Sequence, residues 1–235
     1  QENLTFRSIV RSTNYINYPQ DLNWSYAREM TRRADLYHFH NGTATRKVVR
    51  GKPKPFVLHQ HGTSYREDPE RWNTEVRSSK VPAAQVVSTL DLLDLGPNTW
   101  IPQVLDIDWA AKFRAPQPGR RLRVGHAPTD RAIKSTGAFL AACDRLAVEP
   151  GLIERSSWRN CLKIKGTVDV FFDQVVLGYG NNAIEAWAMG IPVIAGGAPE
   201  TLAKMRAQFG DLPFVEATEG SIGDAIRLLM DEPAR

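Results

Sequence analysis

The chain reads as an α/β protein built on parallel strands, and three observations carry that reading. Short apolar, β-rich runs alternate with helical patterns along most of its length. One proline- and glycine-rich breaker, Ala115-Pro116-Gln117-Pro118-Gly119, divides it near the middle. In the second half, a glycine-rich turn opens a short helix that leads directly into a buried strand.

In order, strands are expected at 8–11, 36–40, 56–61, 85–89 and 99–102, with a helix over 23–33. Past the breaker, a strand over 122–126 precedes a helix over 136–146. A short strand over 151–154, a helix over 159–165 and a strand over 168–173 follow. A strand over 191–195 and closing helices over 199–209 and 221–230 complete the pattern. The breaker sets the expected domains as 1–118 and 119–235. No internal repeat or low-complexity segment is visible.

The length of 235 residues suits one large domain or two small ones, and either buries a real core. Apolar residues make up 42% and charged residues 24%, with no apolar run near the ~18 residues of a membrane span. The N-terminal Gln-Glu-Asn-Leu-Thr does not read as a signal peptide, and its lack of a starting Met suits a processed chain or a fragment. Cys143 and Cys161 lack metal-ligand spacing and are expected as reduced thiols, which points to the cytoplasm.

The formal charge of +4 is uneven. Residues 1–118 carry 16 Lys and Arg against 12 Asp and Glu, whereas 119–235 carry 14 of each. Between Gly42 and Arg66 stand Arg46, Lys47, Arg50, Lys52, Lys54 and Arg66 with no acid. Such a run is either a solvated loop or a surface that concentrates anionic partners.

The most informative segment is Gly178-Tyr179-Gly180-Asn181-Asn182-Ala183-Ile184-Glu185-Ala186, closed by Gly190-Ile191-Pro192-Val193. A helix N-terminus has unpaired N–H groups and partial positive charge, so it suits a diphosphate. Gly178 and Gly180 let a ligand approach the backbone. Asn181 and Asn182 stand where a cap belongs, and their backbone N–H groups are also candidates to meet phosphate or sugar. Glu185 is a single acid among small and apolar neighbours.

This segment resembles the donor-site signature of retaining GT-B glycosyltransferases: Glu-Gly-Phe-Gly, three residues, a second Glu, Ala, then Gly-x-Pro-Val. Glu185-Ala186 and Gly190 to Val193 match its second half, and Gly178 and Gly180 match its first. Leu177 stands where the family has its first acid, which contacts the donor sugar. Asp173 and Gln174 are candidates to supply that contact. Further stretches are similar in the family's order: Ala34 to His40, Lys54 to Gly62, Ser88 to Leu92, and Ile101 to Asp106. The strand and glycine loop that usually open such enzymes, and the helix that usually closes them, are not recognisable.

The resemblance implies two Rossmann-like domains facing a cleft, with residues 119–235 binding the nucleotide-sugar donor. It implies metal-independent transfer, with a loop Arg and Lys, here Arg131 and Lys134, holding the diphosphate. It also implies that Glu185 accepts hydrogen bonds from the ribose and that His61 lies beside the donor sugar as the catalytic-site residue. No cofactor beyond the nucleotide-sugar co-substrate is expected. His38/His40 and His59/His61 are His-x-His pairs on strands, where residues two apart share a face and suit zinc chelation. The resemblance accounts for all four, so no metal site is expected.

Transfer requires the leaving diphosphate to be neutralised, the sugar oriented and the acceptor placed. In open α/β sheets ligands bind at the carboxyl ends of strands, where His40, His61, His126 and Asp173 are expected. The acceptor side is assigned to His40, Gly62, Arg46, Lys47 and Arg50, and the basic run suggests a polyanionic acceptor such as modified DNA or an anionic lipid. Other readings are a catalytically degenerate GT-B module in an assembly, or an epimerase or phosphorylase of the same fold. A phosphorylase needs a pyridoxal-binding Lys, and no signature for one is seen.

Overall fold

The computed structural model describes residues 29, 31–40, 52–117, 119 and 121–231. The strand expected at 8–11, most of the helix expected at 23–33, and Arg46, Lys47 and Arg50 lie outside the described residues. The chain forms two compact units. The first runs to Ser88 and includes Leu92–Ile101; the second comprises Thr89–Asp91 and Pro102 onward.

The first unit holds four parallel strands: β1 (Tyr37–His40), β2 (Phe56–Gln60), β3 (Ala83–Val87) and β4 (Asn98–Trp100), in sheet order β1-β2-β3-β4. Helices Thr63–Glu67 and Pro69–Arg77 connect β2 to β3. The second helix starts as its sequence dictates: Pro69 occupies the first turn, and the Asp68 carboxylate accepts from the Arg71 N–H at 3.1 Å. Phe39, Phe56, Leu58, Tyr65, Trp72, Val87 and Leu92 form the core. Within it the Gln85 amide donates to the Tyr65 hydroxyl and to the side-chain oxygens of Asn73 and Asn98, at 2.7–2.9 Å. This network ties helix to sheet, although the Gln85 side-chain oxygen itself is buried without a hydrogen-bond partner.

The second unit contains β5 (Arg123–His126), β6 (Glu149–Leu152), β7 (Val170–Phe172), β8 (Leu177–Gly178), β9 (Val193–Gly197) and β10 (Val215–Glu216). The parallel order is β10-β9-β7-β5-β6, and β8 pairs antiparallel with β9. Counting only the five parallel strands in chain order, this is the doubly wound order 2-1-3-4-5. The chain leaves β5 toward β6 and returns to the other side at β7, so the winding reverses between β5 and β7. Connecting helices are Thr136–Leu146, Trp158–Lys165, Asn181–Ala188 and Pro199–Phe209, and Ile222–Asp231 follows β10. The core joins β5, β7 and β9 to the helices through Val124, Phe172, Ile194, Phe139 and Ile226; the Phe139 and Phe172 rings stack at 5.3 Å.

Both units are therefore α/β with parallel sheets, as expected. The boundary differs. Residues beyond Ile101 pack with the second unit, up to and past the expected break at 118. Helix Ile107–Ala111 lies against helix Asn181–Ala188, and the Trp109 ring sits 4.9 Å from that of Trp158. Arg114 donates to the carbonyls of Gly166 and Val168 at 2.9 and 2.8 Å. The described residues of the Pro- and Gly-rich run thus belong to the second unit rather than to a boundary. The helices expected at 136–146 and 199–209 have those bounds, and the strand expected at 151–154 begins two residues earlier. Cys143 and Cys161 are free, and burial pushes the Cys143 thiol up to about 12. Among the described residues, no helix is long and apolar enough to cross a membrane.

Candidate functional site

The reversal between β5 and β7 brings together Lys134, Asp173 and Gly180 from among the expected donor residues. β5 ends on His126. The turn that follows is held by Asp130, whose carboxylate accepts from the N–H groups of Ala132 and Ile133 at 2.8 and 3.1 Å. It ends with Ser135 in the left-handed region (φ 51°), after which helix Thr136–Leu146 begins. This turn aims Lys134 across the sheet end. Its ammonium lies 2.8 Å from Asp173 Oδ1, just past β7. Asp173 Oδ2 accepts from the Gly180 N–H at 2.6 Å, at the start of helix Asn181–Ala188. The lysine side chain is 12% exposed and the aspartate 1%. A Cβ on Gly180 would stand 3.4 Å from Asp173 Oδ2 and 3.7 Å from the Lys134 ammonium. One lysine, one carboxylate and one helix N-terminus thus converge at the point where ligands bind in sheets of this type.

Asn182 donates to the Ala127 carbonyl at 3.0 Å. Lys165, fully buried, donates to the Asn182 side-chain oxygen at 2.8 Å and to Glu185 Oε2, and lies 4.7 Å from the Phe171 ring centre. Glu185 Oε1 accepts from the Trp158 indole at 2.7 Å. Both Glu185 oxygens therefore have internal donors, where sequence reasoning anticipated an open carboxylate. Lys165 and Trp158 were not among the residues singled out from the sequence, because their partners lie some 20 or more residues away in the chain.

Two further expected donor residues are engaged elsewhere. Arg131 makes a bidentate pair with Glu154, at 2.8 and 2.6 Å, and this holds the Glu154 carboxyl below its ordinary range. The Tyr179 ring packs edge-on to Trp187 at 5.1 Å and beside Phe209 and Phe214; burial raises its hydroxyl pKa. Its side chain is thus part of an aromatic cluster. Gly178 has φ 82° and allows the Met205 methyl close approach: a Cβ there would meet Met205 Cε at 2.1 Å. Gln174 is buried and its side-chain oxygen has no hydrogen-bond partner. His126 is fully buried between Phe139 and Phe172. One ring nitrogen meets the Phe172 carbonyl at 3.0 Å and the other the Thr136 hydroxyl at 2.9 Å. The carbonyl can only accept, so Nδ1 carries the hydrogen. Burial lowers the His126 pKa to about 4.

In the first unit, β1 and β2 run in register with His40 opposite His59. This places His38, His40, His59 and His61 together. His40 Nδ1 is 2.6 Å from His61 Nε2, and His38 Nε2 is 3.1 Å from His59 Nδ1. Ser88, just after β3, bridges His59 Nε2 and His61 Nδ1 at 2.7 Å each. Burial, and then the neighbouring imidazoles, lower His59 to about 4 and His61 to about 3. His38 and His40 are shifted down as well. At neutral pH His59 and His61 are uncharged. Gly62 follows with φ 152° and leads into helix Thr63–Glu67. Of the expected site residues, Lys134, Asp173, Gly180, Asn182 and Glu185 are linked in the second unit, and His40 and His61 lie together, followed by Gly62, in the first.

No family model matches the chain, and no curated protein matches it.

Proposed function

We propose that the chain is a glycosyltransferase that moves a sugar from a nucleotide-diphosphate sugar to an acceptor with retention of configuration, the second unit holding the donor. The observation that carries this is the convergence of Lys134, Asp173 and the Gly180 N–H at the reversal between β5 and β7. A diphosphate needs a cation and oriented N–H donors, and both stand there. Asp173 currently occupies both donors, as an internal anion at the helix terminus. Donor binding would transfer Lys134 from Asp173 to the phosphates and leave the Asp173 carboxylate to accept from sugar hydroxyls, the role that Leu177 cannot fill.

In this reading the second unit binds, orients and neutralises. Lys134 and the first turn of helix Asn181–Ala188 offset charge building on the leaving phosphate, and the leaving phosphate itself takes the acceptor proton. No protein base is assigned. His61 is neutral and contributes hydrogen bonding rather than charge. The acceptor is assigned to the first unit, and the basic run from Arg46 to Arg66 favours a polyanion such as modified DNA or anionic lipid. Binding of such an acceptor would weaken steeply with salt.

A second reading rests on Leu177 and on the internal engagement of Glu185 and Arg131: a module that binds nucleoside diphosphates without turnover. Calorimetry with uridine, guanosine and adenosine diphosphates tests the shared element. Lys134→Ala should weaken binding at least tenfold, about 1.4 kcal/mol; unchanged affinity would remove the donor-site assignment. Release of nucleoside diphosphate from a nucleotide sugar separates the enzyme from the module.

A further inference from the structure

The structure assigns a divalent transition-metal site, best suited to Zn²⁺, to the histidine cluster at the carboxyl ends of β1 and β2. Three imidazoles, His38, His40 and His59, each present a ring nitrogen, and these atoms all lie within 4.8 Å of one another. Tetrahedral zinc with metal–nitrogen bonds of about 2.0–2.1 Å sets its ligand nitrogens about 3.3 Å apart. His38 Nε2 and His59 Nδ1 are already 3.1 Å apart. The remaining closure needs ring rotations on side chains that are exposed, His38 and His40, while buried His59 stays fixed.

The fixed member has the support a metal ligand needs. Imidazole ligands are oriented by a hydrogen bond at the nitrogen that does not bind the metal. Ser88 holds His59 Nε2 at 2.7 Å, which leaves Nδ1 facing His38. His61, also held by Ser88, stands against His40 and closes the cluster on its far side. All-imidazole sets select zinc, copper or nickel over magnesium or calcium, which prefer oxygen. Three protein ligands leave a fourth position open, as in sites where zinc carries a water or a substrate atom.

The sequence makes the test clean. The chain has five histidines, and four are in this cluster. The fifth, His126, is buried with both ring nitrogens engaged. The full chain, free of any histidine tag and stripped with chelator, is titrated with Zn²⁺ by calorimetry and with Co²⁺ by visible absorption. One ion per chain is expected, with intense tetrahedral cobalt bands. His38→Ala and His40→Ala alter exposed side chains and should each weaken Zn²⁺ at least tenfold while circular dichroism stays unchanged. His59→Gln should abolish the cobalt bands. Absence of stoichiometric binding, or binding indifferent to His38→Ala and His40→Ala, overturns the site.

Discussion

Replacing Lys165 with Met should destabilise the second unit by about 3–5 kcal/mol, the cost of removing one partner from a buried ion pair. The Lys165 side chain is 0% exposed and that of Glu185 9%. Methionine fills much the same volume, so packing changes little. What changes is that Glu185 keeps a charge under the surface with the Trp158 indole as its remaining donor at 2.7 Å, while the Asn182 side-chain oxygen loses its lysine partner. At about 2–4 °C per kcal/mol for a chain of this size, the melting temperature falls by ~10 °C. Urea unfolding followed by circular dichroism and tryptophan emission measures it. The partner variant Glu185→Leu should also be costly, because it strands a buried ammonium. The double variant Lys165→Met with Glu185→Leu should recover most of the loss, since two matched apolar side chains replace a buried pair at little net cost. A single-variant loss under 1 kcal/mol, or simple additivity of the two, would refute the reasoning. The same geometry makes Glu185→Gln a folding perturbation as well as a binding one. A ribose role for Glu185 must therefore be read from nucleotide affinity in protein shown to be folded.

Gly178→Ala should cost several kcal/mol or prevent folding of the second unit, because φ 82° strains an L residue and the new Cβ would meet Met205 Cε at 2.1 Å; pairing it with Met205→Ala should recover part of the loss in the same unfolding assay. His126 should make the second unit acid-sensitive. Its folded value of about 4 lies below the ordinary 6.5, so above pH 6.5 both states are neutral and its contribution is complete. As pH falls from 6.5 to 4 the unfolded chain takes up a proton that the folded chain refuses, and about 3 kcal/mol is lost. Urea unfolding of wild type and His126→Gln at pH 7 and pH 4.5 isolates this from His59 and His61, which shift the same way; parallel losses in both proteins would exclude the assignment.

The local pattern determined the parallel α/β class, because strands buried on both faces read as short apolar runs and intervening helices read by their period. Helices 136–146 and 199–209 were legible to the residue, each bounded by a break in that period. The glycine turn before Asn181 was likewise visible in the sequence, whereas Lys134 was singled out only by the family resemblance. Three things were decided only by tertiary structure. The unit boundary moved to 101/102 because Trp109 and Arg114 find their partners at Trp158, Gly166 and Val168, some 50 residues downstream. The environment of Glu185 was set by Lys165 and Trp158, whose spacing from it carries no local signal. The histidines gave only two His-x-His pairs in sequence; the register that puts His40 opposite His59 fused them into one cluster. Spacing fixes which face of a strand a residue occupies, while strand register and buried pairing depend on contacts between segments distant in the chain, and these exist only once it has folded.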